Sequence, residues 1–257
     1  MNGTIHVSRI GEHVALFEID NPPRNTLGSA MRAKLREILN ALANDPSVRA
    51  LVVTGRGKAF CSGDDLREEF EAAAGGGERG ANLLDFGRLL DQLDSFRAPV
   101  IAAVNGWCVG GGLELALCCD VRLASVEAQF VCAGVNVGLM ASVYRLPRLI
   151  GVARAKHMLL TGLSHDAETA ERFGLVTGVH QTDELIPAAV AFAERIASRA
   201  PLSVEATKRV ASRAPELTPE EALHVQATEL RALVQSADHL AAVTAFLEKR
   251  APVFTRS

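Results

Sequence analysis

Two short glycine-containing segments constrain this chain more than any other feature of its sequence. Residues 59–66 (AFCSGDDL) and 105–114 (NGWCVGGGLE) each put glycine where an apolar run ends and a helix can begin. Such turns leave backbone N–H groups free, and no Cβ shields them. Two turns of this kind facing one another can hold a carbonyl oxygen between two N–H donors, which is an oxyanion hole. Glu114 would stand beside the same carbonyl, so the combination indicates chemistry on an activated carbonyl compound.

Each of these features also has a purely structural explanation. Glycines at 110–112 let a helix pack closely against a strand. Asp64 and Asp65 suit solvated turn residues or a helix cap. Glu114 alone suits the positive end of a helix dipole. Their joint occurrence at two strand-to-helix junctions is what favours a functional site.

The first half of the chain alternates short apolar runs with helical patterns. Residues 14–19, 50–54, 100–104, 121–124 and 129–132 are short and apolar, and they predict strands. Apolar residues at helical spacing predict two helices among them: Met31, Leu35, Ile38, Leu39 and Leu42 in the first, and Leu84, Leu89, Leu90, Leu93 and Phe96 in the second. This alternation predicts an α/β fold with substantial parallel pairing.

From about Pro187 onward the pattern becomes wholly helical, with predicted helices at 188–198, 202–212 and 219–249. Thr218 followed by Pro219 predicts the start of the last helix, as a cap and a first-turn proline. We therefore divide the chain into a core domain, residues 1–186, and a C-terminal helical region, residues 187–257. That region would be a helical subdomain or an arm for oligomer formation.

One low-complexity segment, residues 72–80 (AAAGGGERG), follows closely on the Gly63 turn. Its composition predicts a mobile loop. Two roles remain open for it, a flap over the site and a tolerated surface insertion.

Composition excludes several classes of function. The 257 residues carry a net charge of −3, so nothing global draws the chain to nucleic acid or to an anionic membrane. Runs of about 18 apolar residues, which a membrane span needs, do not occur. The N-terminus lacks a signal-peptide pattern, and the five cysteines sit in apolar surroundings without C-x-x-C spacing, so we expect a cytoplasmic protein with reduced thiols. The seven histidines show no i, i+4 pair, and we expect no metal.

Six segments together resemble the enoyl-CoA hydratase/isomerase (crotonase) family, in family order and over nearly the whole length. They are DNPPRNTL (20–27), AFCSGDDL (59–66), PVIAAVNG (99–106), GGGLELA (110–116), CDVRLA (119–124) and AFLEKR (245–250). The resemblance implies a spiral core of strand-strand-helix units and a helical C-terminal region. It also implies homotrimers or dimers of trimers. The implied ligand is an acyl-CoA thioester, whose coenzyme A is part of the substrate rather than a separate cofactor.

The resemblance also implies roles for particular residues. The oxyanion donors would be the backbone N–H groups of Asp64 and Gly111, and Glu114 would be a catalytic acid/base. Candidates for coenzyme A contact are Arg24, Ser62, Gly63, Asp65 and Leu66 near the first turn, and Phe246 and Lys249, which could reach it from a neighbouring subunit. Arg24, Phe246 and Lys249 could equally be surface or helix-packing residues.

The chain departs from the family pattern where a second catalytic glutamate is expected. Gly134 occupies that position, and a shorter loop at 138–145 replaces a Pro- and Gly-rich one. Three interpretations remain open. In the first, Glu114 acts alone, with water or a substrate group in the space left by Gly134. In the second, another side chain swings in, and the candidates are Asp65, Glu68, Glu69 and Tyr144. In the third, the site only binds acyl-CoA.

Three further residues near the gap have structural interpretations. Tyr144, the only tyrosine, suits packing with one satisfied hydroxyl. Asp120 suits a structural role, and Cys132 an inert thiol among apolar neighbours.

The leading functional hypothesis is an enoyl-CoA hydratase-like lyase, which adds water to 2-enoyl-CoA through an enolate stabilised by the oxyanion hole. The alternatives are a non-catalytic acyl-CoA-binding protein and another reaction of this family, such as decarboxylation, thioester hydrolysis or isomerisation. Isomerisation fits poorly, because the family's isomerases rely on a carboxylate at the position of Gly134.

Overall fold

The computed structural model describes residues 3–75 and 80–257 of the chain. Its strands are β1 (Thr4–Ile10), β2 (Val14–Asp20), β3 (Ala50–Gly55), β4 (Ala59–Cys61), β5 (Val100–Val104), β6 (Trp107–Val109), β7 (Val121–Ser125), β8 (Gln129–Val131), β9 (Ser164–Asp166) and β10 (Val179–His180). Its α-helices are α1 (Ser29–Ala43), α2 (Leu66–Ala74), α3 (Ala81–Asp94), α4 (Gly111–Leu117), α5 (Arg145–Ile150), α6 (Val152–Thr161), α7 (Ala167–Phe173), α8 (Leu185–Ala197), α9 (Pro201–Arg213), α10 (Pro219–Val234) and α11 (Ala237–Leu247). Two short 3₁₀ turns cover Ala133–Val137 and Ala214–Glu216.

The strands form two sheets, and successive pairs of strands are shared between them. The larger sheet has the order β1-β2-β3-β5-β7-β10 and the smaller the order β4-β6-β8-β9. Pairing is parallel from β2 through β10 in the larger sheet and from β4 through β8 in the smaller, with antiparallel pairs β1–β2 and β8–β9 at the edges. The pairs β3/β4, β5/β6 and β7/β8 therefore each leave one strand in the larger sheet and one in the smaller before a helix or 3₁₀ turn follows. This arrangement confirms the predicted α/β spiral.

Burial on both faces explains why the central strands are continuous apolar runs. Every residue of β3 and of β5 is buried. On β3, Leu51 and Val53 belong to the main core with α1 and α3, whereas Val52 faces a second cluster with Ala189 of α8. A strand covered by helices on one face and sheet or helix on the other has no polar side, so the sequence lacks alternation there.

The C-terminal helices differ from the prediction at one point. The predicted helix 219–249 is wrong as a single element, because α10 ends at Val234 and α11 begins at Ala237. Ser236 breaks the run, and its hydroxyl accepts a hydrogen bond from the His239 N–H (3.1 Å) as the cap of α11. The predicted start of α10 is confirmed, since Thr218 and Glu221 form a reciprocal capping box.

The predicted loop at 72–80 is only partly described. Helix α2 extends to Ala74, so the first three residues of that segment are helical rather than a loop. The glycine-rich positions 76–79 lie outside the described residues. No helix in the described part of the chain is long and apolar enough to cross a membrane.

Candidate active site

The two glycine junctions lie side by side at one edge of the smaller sheet. β4 and β6 are parallel neighbours, and each runs directly into its glycine turn. Gly63 has φ +84°, and a Cβ on it would stand 2.6 Å from the backbone nitrogen of Gly111. No side chain fits at such a distance, so glycine at position 63 allows the two turns to meet. The structure thus brings together two motifs that are far apart in the sequence.

The backbone N–H groups of Asp64 and Gly111 remain available at this junction. Within residues 3–75 and 80–257, neither N–H donates to a protein acceptor. The turn is held instead by the Leu27 N–H, which donates to the Gly63 carbonyl (2.8 Å), and by the bridge between Leu27 and Asp64. Two unpaired backbone donors on adjacent turns are the groups from which an oxyanion hole is built.

The Asp64 side chain is buried rather than solvated, which corrects one sequence interpretation. It forms an ion pair with the fully buried Arg32, whose Nε also donates to Asp85 of α3 (2.9 Å). Asp64 Oδ2 is buried and has no hydrogen-bond partner in the described part of the chain. Burial raises the pKa of Asp64, and the nearby Arg32 guanidinium opposes that rise. Asp65 fits the predicted cap, because its Oδ1 accepts from the Arg67 N–H (3.0 Å) at the start of α2.

Glu114 lies in the first turn of α4, and both of its carboxylate oxygens have partners. Oε1 accepts a hydrogen bond from the backbone N–H of Ser142, and Oε2 lies 3.8 Å from Nη1 of Arg145. Ser142 is buried and has φ +59°, a left-handed conformation that is uncommon for serine. Sequence reasoning missed both partners. The one available signal was a charged residue, Arg145, at the end of the shortened loop.

The position of the missing glutamate is covered by this same loop. The Leu139 N–H donates to the Gly134 carbonyl (2.8 Å), so the chain folds back on itself. A Cβ on Gly134 would lie 3.0 Å from the Leu139 carbonyl oxygen and 3.1 Å from the Ala141 nitrogen. The backbone of residues 139–141 therefore lies in tight contact with the Cβ position of residue 134, so a side chain could start there only if this backbone shifts.

Three of the four residues proposed to swing in, Asp65, Glu68 and Tyr144, have other partners. Glu68 accepts from the Ser29 N–H (2.7 Å) at the start of α1, and Glu69 lies beside it on α2. The Tyr144 hydroxyl donates to Glu216, and Arg148 lies 4.8 Å over the tyrosine ring. The Tyr144 hydroxyl is therefore satisfied, as the structural interpretation expected, but the residue is 55% exposed rather than packed in the interior.

The remaining polar and thiol groups near the gap are structural. The Asp120 carboxylate accepts from the Val100 N–H (2.7 Å) and pairs with Lys208 (2.8 Å). Cys132 is buried, and burial raises the pKa of its thiol to about 12. All five cysteines are free and buried, as the sequence predicted. Among the described residues, no group of three or more His, Cys, Asp or Glu side chains could hold a metal ion.

The candidate coenzyme A residues fall into two places. The Arg24 carbonyl accepts from the Ser62 N–H (3.1 Å), so Arg24 lies against the first turn together with Gly63, Asp65 and the half-exposed Leu66. Ser62 Oγ is buried without a partner in the described regions. By contrast, Phe246 is 81% exposed at the end of α11 and Lys249 follows that helix. Over the described ranges, no hydrogen bond or ion pair joins these two residues to the turns.

The spiral of two sheets, with two unpaired backbone N–H groups on adjacent turns, is typical of a crotonase-type protein. The sequence model of the enoyl-CoA hydratase/isomerase family matches residues 9–257, and the chain belongs to this family. It is 38% identical to (E)-benzylidenesuccinyl-CoA hydratase of Thauera aromatica, covering 95% of this chain and 96% of that protein. It is 35% identical to crotonyl-CoA hydratase of Syntrophomonas wolfei, covering 93% of each. The crystal structure of an enoyl-CoA hydratase from Bacillus anthracis superimposes with a TM-score of 0.92 at 30% identity, over 98% of this chain and 99% of that one.

Proposed function

We propose that this protein hydrates 2-enoyl-CoA thioesters with Glu114 as its single acid/base. The observation that carries the proposal is the unpaired N–H groups of Asp64 and Gly111 on adjacent turns, with Glu114 three residues further along α4. Membership of the enoyl-CoA hydratase/isomerase family supports an acyl-CoA substrate. No cofactor beyond the coenzyme A of the substrate is needed for this reaction.

The chemistry follows from the placement of these groups. The thioester oxygen accepts from the two N–H donors, which stabilise the negative charge that develops when water adds to C3. Glu114 takes a proton from the attacking water, and the carboxyl group returns a proton to C2, so that one water molecule is added overall. Loss of one oxyanion donor costs about 3–4 kcal/mol in comparable sites. An absent second carboxyl group costs about 10²–10⁴-fold in rate, so we expect slow turnover relative to an enzyme with two glutamates.

We further propose that the chain acts as a homotrimer or a dimer of trimers. Helix α10 has no buried residue, and it exposes Leu223, Leu230 and Val234. The single chain exposes 13549 Å², whereas a compact monomer of its mass exposes about 10,900 Å². Self-association would cover this surface, and it would let Phe246 and Lys249 contact coenzyme A bound by a neighbour. Five buried thiols suit a reducing, cytoplasmic compartment.

A second candidate function is acyl-CoA binding without turnover. It is favoured by the loop that packs against the position of the second glutamate and by the engagement of both Glu114 oxygens. In that case the oxyanion donors would still hold the thioester. The chemistry would stop at binding.

The deciding experiment uses enoyl-CoA esters of increasing chain length. Loss of the conjugated thioester absorbance reports hydration, and calorimetry measures binding in parallel. The proposal expects turnover that falls at least about 100-fold in Glu114→Gln while binding is retained. Tight binding with no turnover in the unmodified protein would instead support the binding function.

A further inference from the structure

One segment holds both oxygens of the Glu114 carboxylate. The backbone N–H of Ser142 donates to Oε1, and the guanidinium of Arg145 lies 3.8 Å from Oε2. Both residues belong to the loop that departs from the family pattern. The same loop lies against Gly134, the position at which the family resemblance implies a second carboxylate.

Arg145 is itself fixed in place. Its Nη2 donates to Asp94 at the end of α3 (3.3 Å), and its side chain is only 21% exposed. The guanidinium thus bridges Glu114 on α4 and Asp94 on α3. Arg148, less than one turn further along α5, pairs instead with Glu216 (3.4 Å) and makes no contact with Glu114 within the described residues.

We propose that Arg145 is a positioning residue for Glu114, an inference that rests on the proposed acid/base role of that glutamate. A glutamate side chain in an open site has several rotamers. Time spent in rotamers that point the carboxylate away from the reacting atoms lowers the reaction rate. The planar guanidinium and the Ser142 N–H together hold one orientation and leave remaining lone pairs for water. The contact between Arg145 and Glu114 therefore fixes the orientation of the Glu114 carboxylate. In a site with two glutamates, the second carboxylate and the water shared between the two would fix it instead.

A double-mutant cycle tests this inference. The variants are Arg145→Gln, Glu114→Gln, the double variant, and Arg145→Lys, with Arg148→Gln as the matched control. Two reactions are measured: hydration of crotonyl-CoA, and exchange of the C2 protons of butyryl-CoA with deuterated water, followed by NMR. Exchange needs a base and the oxyanion hole but no addition of water. Thermal melting of each variant monitors folding.

We expect Arg145→Gln to lower kcat about 10–100-fold with KM changed less than about twofold. Arg145→Lys should recover part of that loss, because it keeps the charge without the planar fork. Arg148→Gln should match the unmodified protein. In the Glu114→Gln background, adding Arg145→Gln should lower kcat by less than a further factor of about two. The reason is that Arg145 acts through the Glu114 carboxylate, which this background already lacks.

Equal losses in both backgrounds would overturn the proposal, as would an Arg148→Gln defect as large as that of Arg145→Gln. If Arg145→Gln does not fold, the cycle is run with Arg145→Lys, and additivity there is equally decisive. Proton exchange without hydration would refute the hydratase function. The double-mutant cycle, measured on the exchange rate, would still test the role of Arg145. An absence of both reactions would overturn both proposals.

Discussion

Gly63 and Gly111 lie so close together that a Cβ on Gly63 would stand 2.6 Å from the backbone nitrogen of Gly111. The meeting of the two turns therefore depends on an absent side chain. Because the proposed oxyanion donors belong to these turns, any displacement at position 63 moves one donor relative to the other. A shift of about 1 Å costs on the order of 10²-fold in rate in preorganised sites.

Gly63→Ala should accordingly abolish measurable hydration and lower the free energy of unfolding by more than the cost of its left-handed backbone. That cost is about 1–2 kcal/mol for alanine. Gly57→Ala is the matched control, since Gly57 has φ +75° but open space around its Cβ position. It should lose about 1–2 kcal/mol and keep its turnover. Urea unfolding and crotonyl-CoA hydration measure both effects, and similar turnover in the two variants would contradict the prediction.

Restoring the glutamate at position 134 should not restore a two-carboxylate site. The Cβ would press on the backbone of Leu139 and Ala141, so Gly134→Glu should lower the free energy of unfolding by about 1–3 kcal/mol. Hydration should stay level or fall. Gly87→Ala on α3 is a suitable control, because no atom lies within 4 Å of its Cβ position and alanine favours helix by up to about 1 kcal/mol. A tenfold gain of turnover in Gly134→Glu would show that the loop moves aside.

Asp64 should make stability fall as pH rises. Burial raises the pKa of this carboxyl above its ordinary value of 3.8 in the folded state, although Arg32 opposes the rise. The folded protein then binds the proton more tightly than the unfolded chain, so the contribution is present below pH 3.8 and is lost as pH rises through the raised pKa. The free energy of unfolding relative to Asp64→Asn should decrease from pH 3.5 toward neutrality, as measured by urea denaturation.

Glu205 should have the opposite pH dependence. Burial alone would raise the pKa of Glu205, but hydrogen bonds from Arg256 (3.0 Å) and Arg97 (2.7 Å) prevail and lower it below 4.5. Its stabilisation is therefore present above pH 4.5 and is lost as pH falls through the lowered pKa. Relative to Glu205→Gln, the free energy of unfolding should increase with pH over the acid range. Each of the two carboxyl variants is the control for the other, and slopes of equal sign would contradict both predictions.

Much of the fold could be predicted because its signals are local. The buried strands β2, β3, β5 and β7 are apolar runs of five to seven residues, long enough to be recognised without any partner. Among the three-residue strands, β8 was predicted from its apolar residues, whereas β4, β6 and β9 were missed. A segment that short has no periodicity of its own, and only pairing in the smaller sheet makes it a strand. The break between α10 and α11 was missed for a related reason, since a serine within a helical pattern becomes a cap only when the chain turns there.

The sequence by itself determined the two glycine junctions, the carboxylate at 114 and the glycine at 134, because each is a matter of residue type at a local turn. Only the tertiary structure decided what surrounds them. Arg32 reaches Asp64 across 32 residues, and Ser142 reaches Glu114 across 28. Such contacts depend on how helices and loops pack in space, and neither spacing nor periodicity along the chain encodes them. For that reason the sequence predicted a solvated turn residue or a helix cap at Asp64 and an open position at Gly134, whereas packing buries the Asp64 side chain and places the backbone of residues 139–141 against Gly134.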